Sequence, residues 1–372
     1  MTKTAAAYLL CLFPLWTMAQ KRPTAIQVPL QASNWEFRPG GVEFTTYKSV
    51  PAMKILTTKD SAVLKQLDFT NGTIEYDMEP LDPYFTSFYF RRNSKAENEC
   101  FYFRTAEAGK GDAVQYAPHL GGINLWDMLP EYQSATWFAK DQWNHVKLVI
   151  SGKQMRVYVN DTIHPVLQVP RLEGNTTDGG LAFDGQAIIA NLVVKPAQTE
   201  ALSPDAGIDI TDNDPRYLRQ WQLSTPITTP VNLDFSLDWK PAKDAAWESI
   251  WAERKGLINL TRKFGGMADR ARRIVWLKTN IHSTVAQVRQ VSLGFSDEVW
   301  VFVNGNFAYV DKNLYSLPAM KQPDGRCSID NASFSLPLKA GDNEVMIAVA
   351  NNFYGWGIIA RLDKFENLTF GK

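Results

Sequence analysis

Short runs of alternating apolar and polar residues recur along most of the chain and constrain its fold more than any other feature. Clear examples are residues 42–47, 73–78, 88–91, 145–150 and 155–159. Gly, Asn, Asp or Pro bounds each run, and a period of two places neighbouring side chains on opposite faces of a strand. Residues 154–160 resemble a hairpin partner of 143–150, joined by the three-residue loop Ser151-Gly152-Lys153. The pattern predicts an all-β protein built from sandwiches or barrels.

A change of composition divides the chain in two. Residues 195–215 are polar, contain three prolines and lack aromatic residues. We predict a linker at 198–215 between β-sandwich domains of jelly-roll type at 25–197 and 216–372, each long enough to bury its own core. Helical periodicity is scarce and predicts only short helices, at 245–255 and 267–273. In the second domain strands are expected at Trp221 and over 231–237, 273–279, 287–293, 298–303, 333–338, 344–350 and 358–362.

The first residues have the pattern of a secretory signal peptide. Lys3 gives a positive start, residues 5–16 are mostly apolar, and Thr17-Met18-Ala19 forms a cleavage site. The apolar run is too short to span a bilayer of about 30 Å. Cleavage after Ala19, which removes residues 1–19, predicts an exported protein that is periplasmic, on the cell surface or secreted. No later stretch approaches eighteen apolar residues, so no membrane span is expected.

Charge and cysteine content exclude several classes of function. The chain has 39 Lys and Arg against 39 Asp and Glu. This balance removes the positive field on which nucleic-acid binding and polybasic membrane binding depend. The three cysteines form neither a CxxC pair nor a Cys/His cluster, so no metal site is predicted. No cofactor is expected, and loop carboxylates leave a structural Ca²⁺ open without a spaced ligand set to define it.

The first predicted domain carries a series of motifs in a characteristic order. They are Trp35 and Phe37, Phe69-Thr70-Asn71-Gly72, Phe88-Tyr89-Phe90-Arg91, the strand from Glu99 to Arg104, Trp143-Asn144-His145-Val146-Lys147 and Val157-Tyr158-Val159-Asn160. This order resembles the concanavalin A-like lectin and glucanase sandwich, including its laminin-G-like, family-16 glycoside hydrolase and 3-keto-disaccharide hydrolase-like members. The resemblance implies a fold and a link to sugars, but it does not by itself assign an activity.

One motif resembles the catalytic pattern of family-16 glucanases. Glu75-Tyr76-Asp77-Met78-Glu79 reads E-x-D-x-E and places three carboxylates on one strand face. The resemblance implies retaining hydrolysis, with the first carboxylate as nucleophile and the last as acid/base. The family's motif lies on a later strand, however, and Pro80 follows Glu79 directly. The alternative is the solvated face of an amphipathic strand.

A second candidate site lies between residues 91 and 126, where aromatic, basic and amide side chains are concentrated. Aromatic rings stack on sugar C–H faces, and Arg, Asn and Gln donate hydrogen bonds to hydroxyl groups. If Phe101 and Phe103 fill the core, Tyr102 and Arg104 face a cleft, and Glu99 lies on the core side. Structural ion pairs, and core positions for Trp126 and Trp137, are the alternative. The predicted carbohydrate-binding residues are Arg91, Tyr102, Arg104, Gln115, Tyr116, Asn124 and Trp126.

The second predicted domain resembles the galactose-binding-like jelly roll. The resemblance rests on Gly294-Phe295-Ser296-Asp297, on 299–305 with its Asn304-Gly305 hairpin turn, on 336–344 and on 351–357. It implies an accessory sugar site in the loops at one end of the sandwich. The residues expected there are Asn351, Asn352, Tyr354 and Trp356, with a packing role as the alternative for Trp356.

These features favour an exported carbohydrate-binding protein that acts in glycan recognition or polysaccharide utilisation, with an oligo- or polysaccharide as its partner. A glycoside hydrolase or related carbohydrate-cleaving enzyme is the first alternative. Its catalytic candidates are Glu75, Asp77, Glu79 and Glu99. A structural or adhesion protein is the second alternative.

Overall fold

The structure is a computed structural model that describes residues 24–81, 83–230, 240–266 and 272–370. The predicted signal peptide, the predicted strand 231–237 and most of the predicted helix 267–273 lie outside these residues. None of the helices in the described part of the chain has the length and apolar character needed to cross a membrane.

Strands up to Pro196 form the first sandwich. They are β1 (Ile26–Gln27), β2 (Trp35–Phe37), β3 (Val42–Tyr47), β4 (Val50–Ile55), β5 (Ser61–Leu64), β6 (Gly72–Pro80), β7 (Phe85–Arg92), β8 (Glu99–Arg104), β9 (Val114–Tyr116), β10 (His119–Leu120), β11 (Ile123–Asn124), β12 (Gln133–Ser134), β13 (Asn144–Ser151), β14 (Gln154–Val159), β15 (Leu167–Val169), β16 (Gly180–Asp184) and β17 (Ala187–Pro196). One sheet has the order β15-β14-β13-β6-β17-β4-β3, with β1 on β17, and the facing sheet has the order β12-β9-β8-β7-β16-β5-β2. Strands β10 and β11 form a separate hairpin.

Strands from Gln220 onward form the second sandwich. They are β18 (Gln220–Ser224), β19 (Ile227–Thr228), β20 (Trp247–Trp251), β21 (Leu257–Asn259), β22 (Arg273–Ser283), β23 (Gln287–Ser296), β24 (Glu298–Val303), β25 (Asn306–Lys312), β26 (Ala332–Leu338), β27 (Gly341–Ala350), β28 (Gly357–Leu362) and β29 (Leu368–Phe370). The larger sheet has the order β20-β18-β22-β27-β24-β25, and the smaller one has the order β21-β28-β23-β26. A short helix, α1 (Leu260–Phe264), follows β21.

The all-β prediction of two sandwiches is confirmed. The β13–β14 hairpin forms as expected, although Ser151 pairs with Gln154, which leaves a two-residue connection in place of the predicted three. The Asn304-Gly305 turn has positive φ at both residues, 51° and 79°, as its sequence requires.

The predicted helix at 245–255 is wrong. Residues in this range form strand β20, which pairs antiparallel with β18, Trp247 opposite Ser224 and Trp251 opposite Gln220. A five-residue strand gains its hydrogen bonds from a partner distant in sequence, and this tertiary pairing overrides a weak local helical preference.

Large aromatic side chains fill both cores. In the first sandwich Tyr76 packs between the sheets against Phe88 and Phe183, at ring-centroid distances of 5.3 and 5.0 Å. In the second, Trp221 and Trp356 are fully buried. Cys100 and Cys327 are both buried free thiols.

Several hydrogen bonds join the two sandwiches. The Cys327 amide donates to the Asp127 carbonyl at 2.7 Å, and the Gly355 amide donates to the Asp127 carboxylate at 3.1 Å. Arg262 donates to the Glu173 carbonyl at 2.7 Å. The segment predicted as a linker also packs on the first sandwich, where Leu202 is buried.

Candidate functional site

The outer face of the β7–β8–β16 part of the first sandwich is polar and aromatic. On β8, Phe101 and Phe103 point into the core, and Tyr102 and Arg104 therefore point outward, as alternation predicts. Ser87 and Tyr89 on β7, and Asp184 at the end of β16, share this outer face. These outward side chains form one side of a cleft of about 610 Å³.

The other side of the cleft is an aromatic wall made by Trp126, Tyr315, Phe353 and Tyr354. The ring of Trp126, from the first sandwich, lies 4.9 Å from that of Tyr315 and 5.9 Å from that of Tyr354. Tyr315 stacks on Phe353 at 5.5 Å with nearly parallel planes. The cleft therefore lies between the two sandwiches, and Tyr354 joins the residues predicted from the first domain in one site.

Hydrogen bonds fix the cleft side chains in place. The Tyr102 hydroxyl donates to Gln115 Oε1 at 2.6 Å, and Gln115 Nε2 donates to the Trp126 carbonyl at 2.8 Å. Arg104 Nη1 donates to Asp112 at 3.1 Å, and the Arg104 guanidinium lies 5.9 Å from the Trp126 ring. Gln115 is fully buried, so it orients Tyr102 and Trp126 from behind the cleft surface.

Two polar atoms at the cleft are buried without a hydrogen-bond partner among the described residues. They are Nε of Arg104 and Oδ1 of Asn124. Both atoms are shielded from solvent, so neither is open to a ligand in this structure.

The ionisable groups of the cleft include one ion pair, one neutral imidazole and one buried carboxyl. Burial raises the pKa of the Asp184 carboxyl. The hydrogen bonds from Tyr89, at 2.6 Å, and from Ser87 lower it and offset part of this effect. Burial lowers the pKa of His119 to about 4, so its imidazole is neutral at pH 7. Asp112 balances the charge of Arg104, with which it pairs.

The structure places the E-x-D-x-E carboxylates away from the cleft. They lie on β6, in the facing sheet, where they alternate with the buried residues Ile74, Tyr76 and Met78. They point outward from that sheet, and each pairs with a basic side chain: Glu75 with Lys195 at 2.8 Å, Asp77 with His145 at 2.8 Å, and Glu79 with Lys48 at 2.6 Å.

Four other predicted residues of the first domain also lie outside the cleft lining: Gln115, buried behind it, and Glu99, Tyr116 and Arg91. Glu99 and Tyr116 are in the core, where the Tyr116 hydroxyl donates to Glu99 at 2.5 Å. Burial raises the pKa of the Glu99 carboxyl to about 7. Arg91 is buried and donates to the Thr70 carbonyl, to Asn71 and to the Gly152 carbonyl, which joins the ends of three strands.

The predicted accessory site is divided by the structure. Tyr354 lines the cleft, whereas Trp356 is fully buried and donates to the Gly265 carbonyl, the packing role given as the alternative. Asn351 is also buried, and its side chain accepts from the Arg273 amide. The Asn352 amide donates to Asp297.

Sequence reasoning missed much of the cleft. Ser87 and Tyr89 follow the same alternation as Tyr102 and Arg104, so the strand pattern could have identified them. The other missed residues lie in loops or at strand ends and carry no local signal: Thr58, Tyr84, Phe85, His119, Gly122, Asp184, Gly185, Tyr315 and Phe353. Within the described ranges, no three His, Cys, Asp or Glu side chains are grouped so as to hold a metal ion.

No family model matches the sequence, and no curated protein matches it. Part of the chain is similar to solved structures. Carbohydrate-binding module CBM66 from Bacillus subtilis is 13% identical over 43% of this chain and 95% of that one, with a TM-score of 0.33. The β-glucanase of Bacillus licheniformis is 12% identical over 47% and 99%, with a TM-score of 0.35. A β-1,3-1,4-glucanase from a mouse hindgut metagenome is 10% identical over 46% and 98%, with a TM-score of 0.35. These similarities are too low to assign a function.

Proposed function

We propose that this protein binds a neutral oligosaccharide in the cleft between its two sandwiches. One observation carries the proposal: the polar outer face that holds Tyr102, Arg104 and Asp184 lies opposite an aromatic wall. Sugars offer apolar C–H faces and hydroxyl groups on one ring, so they need aromatic and hydrogen-bonding surfaces together. The volume of about 610 Å³ fits a small-ligand site.

The charge of the cleft favours a neutral sugar over a uronic acid or a phosphorylated one. Arg104 is paired with Asp112, and Arg326, which lies 5.2 Å from the Trp126 ring, is paired with Asp324 at 3.2 Å. An anionic ligand would compete with these carboxylates and would also meet Asp184.

Binding is better supported than hydrolysis. Retaining and inverting glycosidases both use two carboxyl groups that face the sugar, about 5 to 10 Å apart. Asp184 is the carboxylate that lines the cleft, while the β6 carboxylates belong to the facing sheet and Glu99 to the core. Incubation of the purified protein with the oligosaccharides it binds should release no new reducing ends.

The test is a glycan array followed by titration calorimetry on the full chain. We expect binding to at least one neutral oligosaccharide series, and about a tenfold loss in Tyr354→Ala and in Asp184→Asn. Asp342→Asn is the control, because Asp342 is exposed at the opposite end of β27 from the cleft. Absence of binding to every glycan, or an equal loss in the control, would contradict the proposal.

We also propose that the chain is exported, on the strength of its first nineteen residues. N-terminal sequencing of the mature protein from its native host should begin at Gln20. A mature chain that retains Met1 or Thr2 would contradict this proposal.

A further inference from the structure

Trp137 is an exposed aromatic residue that does not line the cleft. The residue is 77% exposed, whereas the flanking residues Thr136 and Phe138 are buried. Phe138 packs on Phe103 in the core, at a ring-centroid distance of 5.2 Å. Since burial alternates from residue 135 to 138, Trp137 points away from the core. Strand β12, which precedes this stretch, pairs Gln133 with Gln115, the buried residue that orients Tyr102 from behind the cleft surface.

The backbone of Gly109 supports the indole. A Cβ at Gly109 would lie 2.5, 2.6 and 2.7 Å from three consecutive atoms of the Trp137 ring. Three nearly equal distances place that position over the face of the ring, because an approach to the edge would give one short distance and two longer ones. The Gly109 amide donates to the Thr136 carbonyl at 2.8 Å, which fixes the contact. One ring face is therefore held on a glycine, and the indole remains largely open to solvent.

A short backbone segment connects the cleft to the position of Trp137. Residues 105–109 follow directly on Arg104, which lines the cleft, and end at Gly109 under the indole. At the start of this segment the Thr105 amide donates to the Tyr84 carbonyl at 3.1 Å. Tyr84 and Phe85 line the cleft and are 66% and 47% exposed. One short segment thus runs from the edge of the cleft, marked by Arg104 and Tyr84, to the glycine that supports Trp137.

We propose that the ligand of the cleft is an extended chain of several sugar units, and that Trp137 is a second stacking site for units that project beyond Phe85 and Tyr84. The inference rests on the proposed carbohydrate-binding function and specifies its substrate class. A flat ring held on one face suits the C–H face of a pyranose, as in other aromatic contacts with a fixed geometry. Continuity with the cleft favours the same glycan over a separate partner.

The experiment measures affinity against chain length. Purified full-length protein is titrated with neutral cello-, laminari-, malto-, xylo- and fructo-oligosaccharides of two to about eight units. For the series that binds, wild-type affinity should rise with length until Trp137 is reached. Trp137→Ala should leave the affinity for the shortest binding oligosaccharide within about twofold and reduce that for the longest about tenfold, the ratio expected for one covered ring face.

Matched variants separate stacking from general damage. Trp251→Ala removes another exposed indole, 63% exposed and outside the cleft, and should retain the wild-type length dependence. Trp137→Phe keeps an aromatic ring and should retain part of the rise in affinity with oligosaccharide length that Trp137→Ala loses. Gly109→Ala keeps the indole but displaces it, so it should act like Trp137→Ala.

Each outcome decides between the two proposals. If short oligosaccharides bind, lose affinity in Tyr354→Ala, and gain equally with length in Trp137→Ala and wild type, the stacking site is overturned and the cleft function stands. If no oligosaccharide of any length binds, both proposals fail. An equal loss for short and long chains in Trp137→Ala would also overturn the inference, because it would indicate a distortion of the cleft.

Discussion

Replacement of Glu99 by Gln tests the placement of this carboxyl in the core. Its Oε2 accepts from the Tyr116 hydroxyl at 2.5 Å, and the Gly174 amide also donates to the carboxylate. Tyr116 already accepts from the Glu173 amide at 2.6 Å, so its proton is directed at Glu99. An amide NH₂ cannot accept a hydrogen bond, so in the glutamine variant one of the two donors, Tyr116 or Gly174, loses its acceptor. We expect a loss of about 1–3 kcal/mol in the free energy of unfolding at pH 5, where the wild-type carboxyl is protonated in the folded state.

The pH dependence of stability should also change, with a defined sign. Burial raises the pKa of Glu99 from its ordinary value of 4.5 to about 7 in the folded protein. Below pH 4.5 the carboxyl is protonated in both the folded and the unfolded state, so stability does not change with pH through this group. Between pH 4.5 and 7 the unfolded state loses this proton while the folded state keeps it, so stability falls as pH rises. From pH 5 to pH 8 this one group should lower the free energy of unfolding by about 2–3 kcal/mol.

The assay is urea denaturation of wild type and Glu99→Gln at pH 5 and pH 8, followed by tryptophan fluorescence. Over this interval the variant should lose about 2–3 kcal/mol less stability than wild type, since it lacks the ionisable group. Glu43→Gln, at an exposed position on β3, is the control and should match the wild-type interval. An equal pH dependence in Glu99→Gln and wild type would refute the buried, protonated carboxyl. Loss of glycan binding in a folded Glu99→Gln protein would refute its separation from the cleft.

Three further predictions concern packing and the cleft. Gly355→Ala would place a Cβ 2.5 Å from Cγ of Met128, where the two sandwiches meet. This overlap should lower the free energy of unfolding by about 1–3 kcal/mol and weaken glycan binding. An unchanged melting temperature and affinity would contradict this prediction. Asn343 is fully buried and donates to three backbone carbonyls. Asn343→Ala should therefore lower the free energy of unfolding, measured by urea denaturation, by about 2–4 kcal/mol. A decrease below about 1 kcal/mol would show that these hydrogen bonds contribute little to stability. Tyr102→Phe removes the hydroxyl that donates to Gln115. The variant should bind glycan more weakly in calorimetry and lose about 1 kcal/mol of the free energy of unfolding. A folded variant with the wild-type affinity would exclude Tyr102 from glycan recognition.

The sequence predicts those parts of the fold whose signal is local. The period of two correctly places β3 and β24, and the Asn304-Gly305 pair specifies its own turn. The same period separates Tyr102 and Arg104 from Phe103 on one strand. The helix predicted around Trp247 was wrong because the strand formed there pairs with β18, more than twenty positions away in the sequence.

The cleft could be predicted only in part, for the same physical reason. Tyr315 and Phe353 have no pattern that links them to Trp126, because docking of the second sandwich on the first brings these rings together. Glu99 shows the opposite case. Its alternation with Phe101 and Phe103 already indicated a core position, and its charge suggested a catalytic one; burial agrees with the alternation.

The division of the cleft between two sandwiches limits how the protein can be rearranged. A chain cut within residues 198–215 would leave Tyr102, Arg104 and Asp184 on one fragment and Tyr315, Phe353 and Tyr354 on the other. Recombination with a foreign sandwich, natural or engineered, would replace an entire side of the ligand's surroundings in one step. Under the proposed function, specificity would depend on both sandwiches together, and a change in how they dock would alter ligand choice without a substitution among the contacting residues.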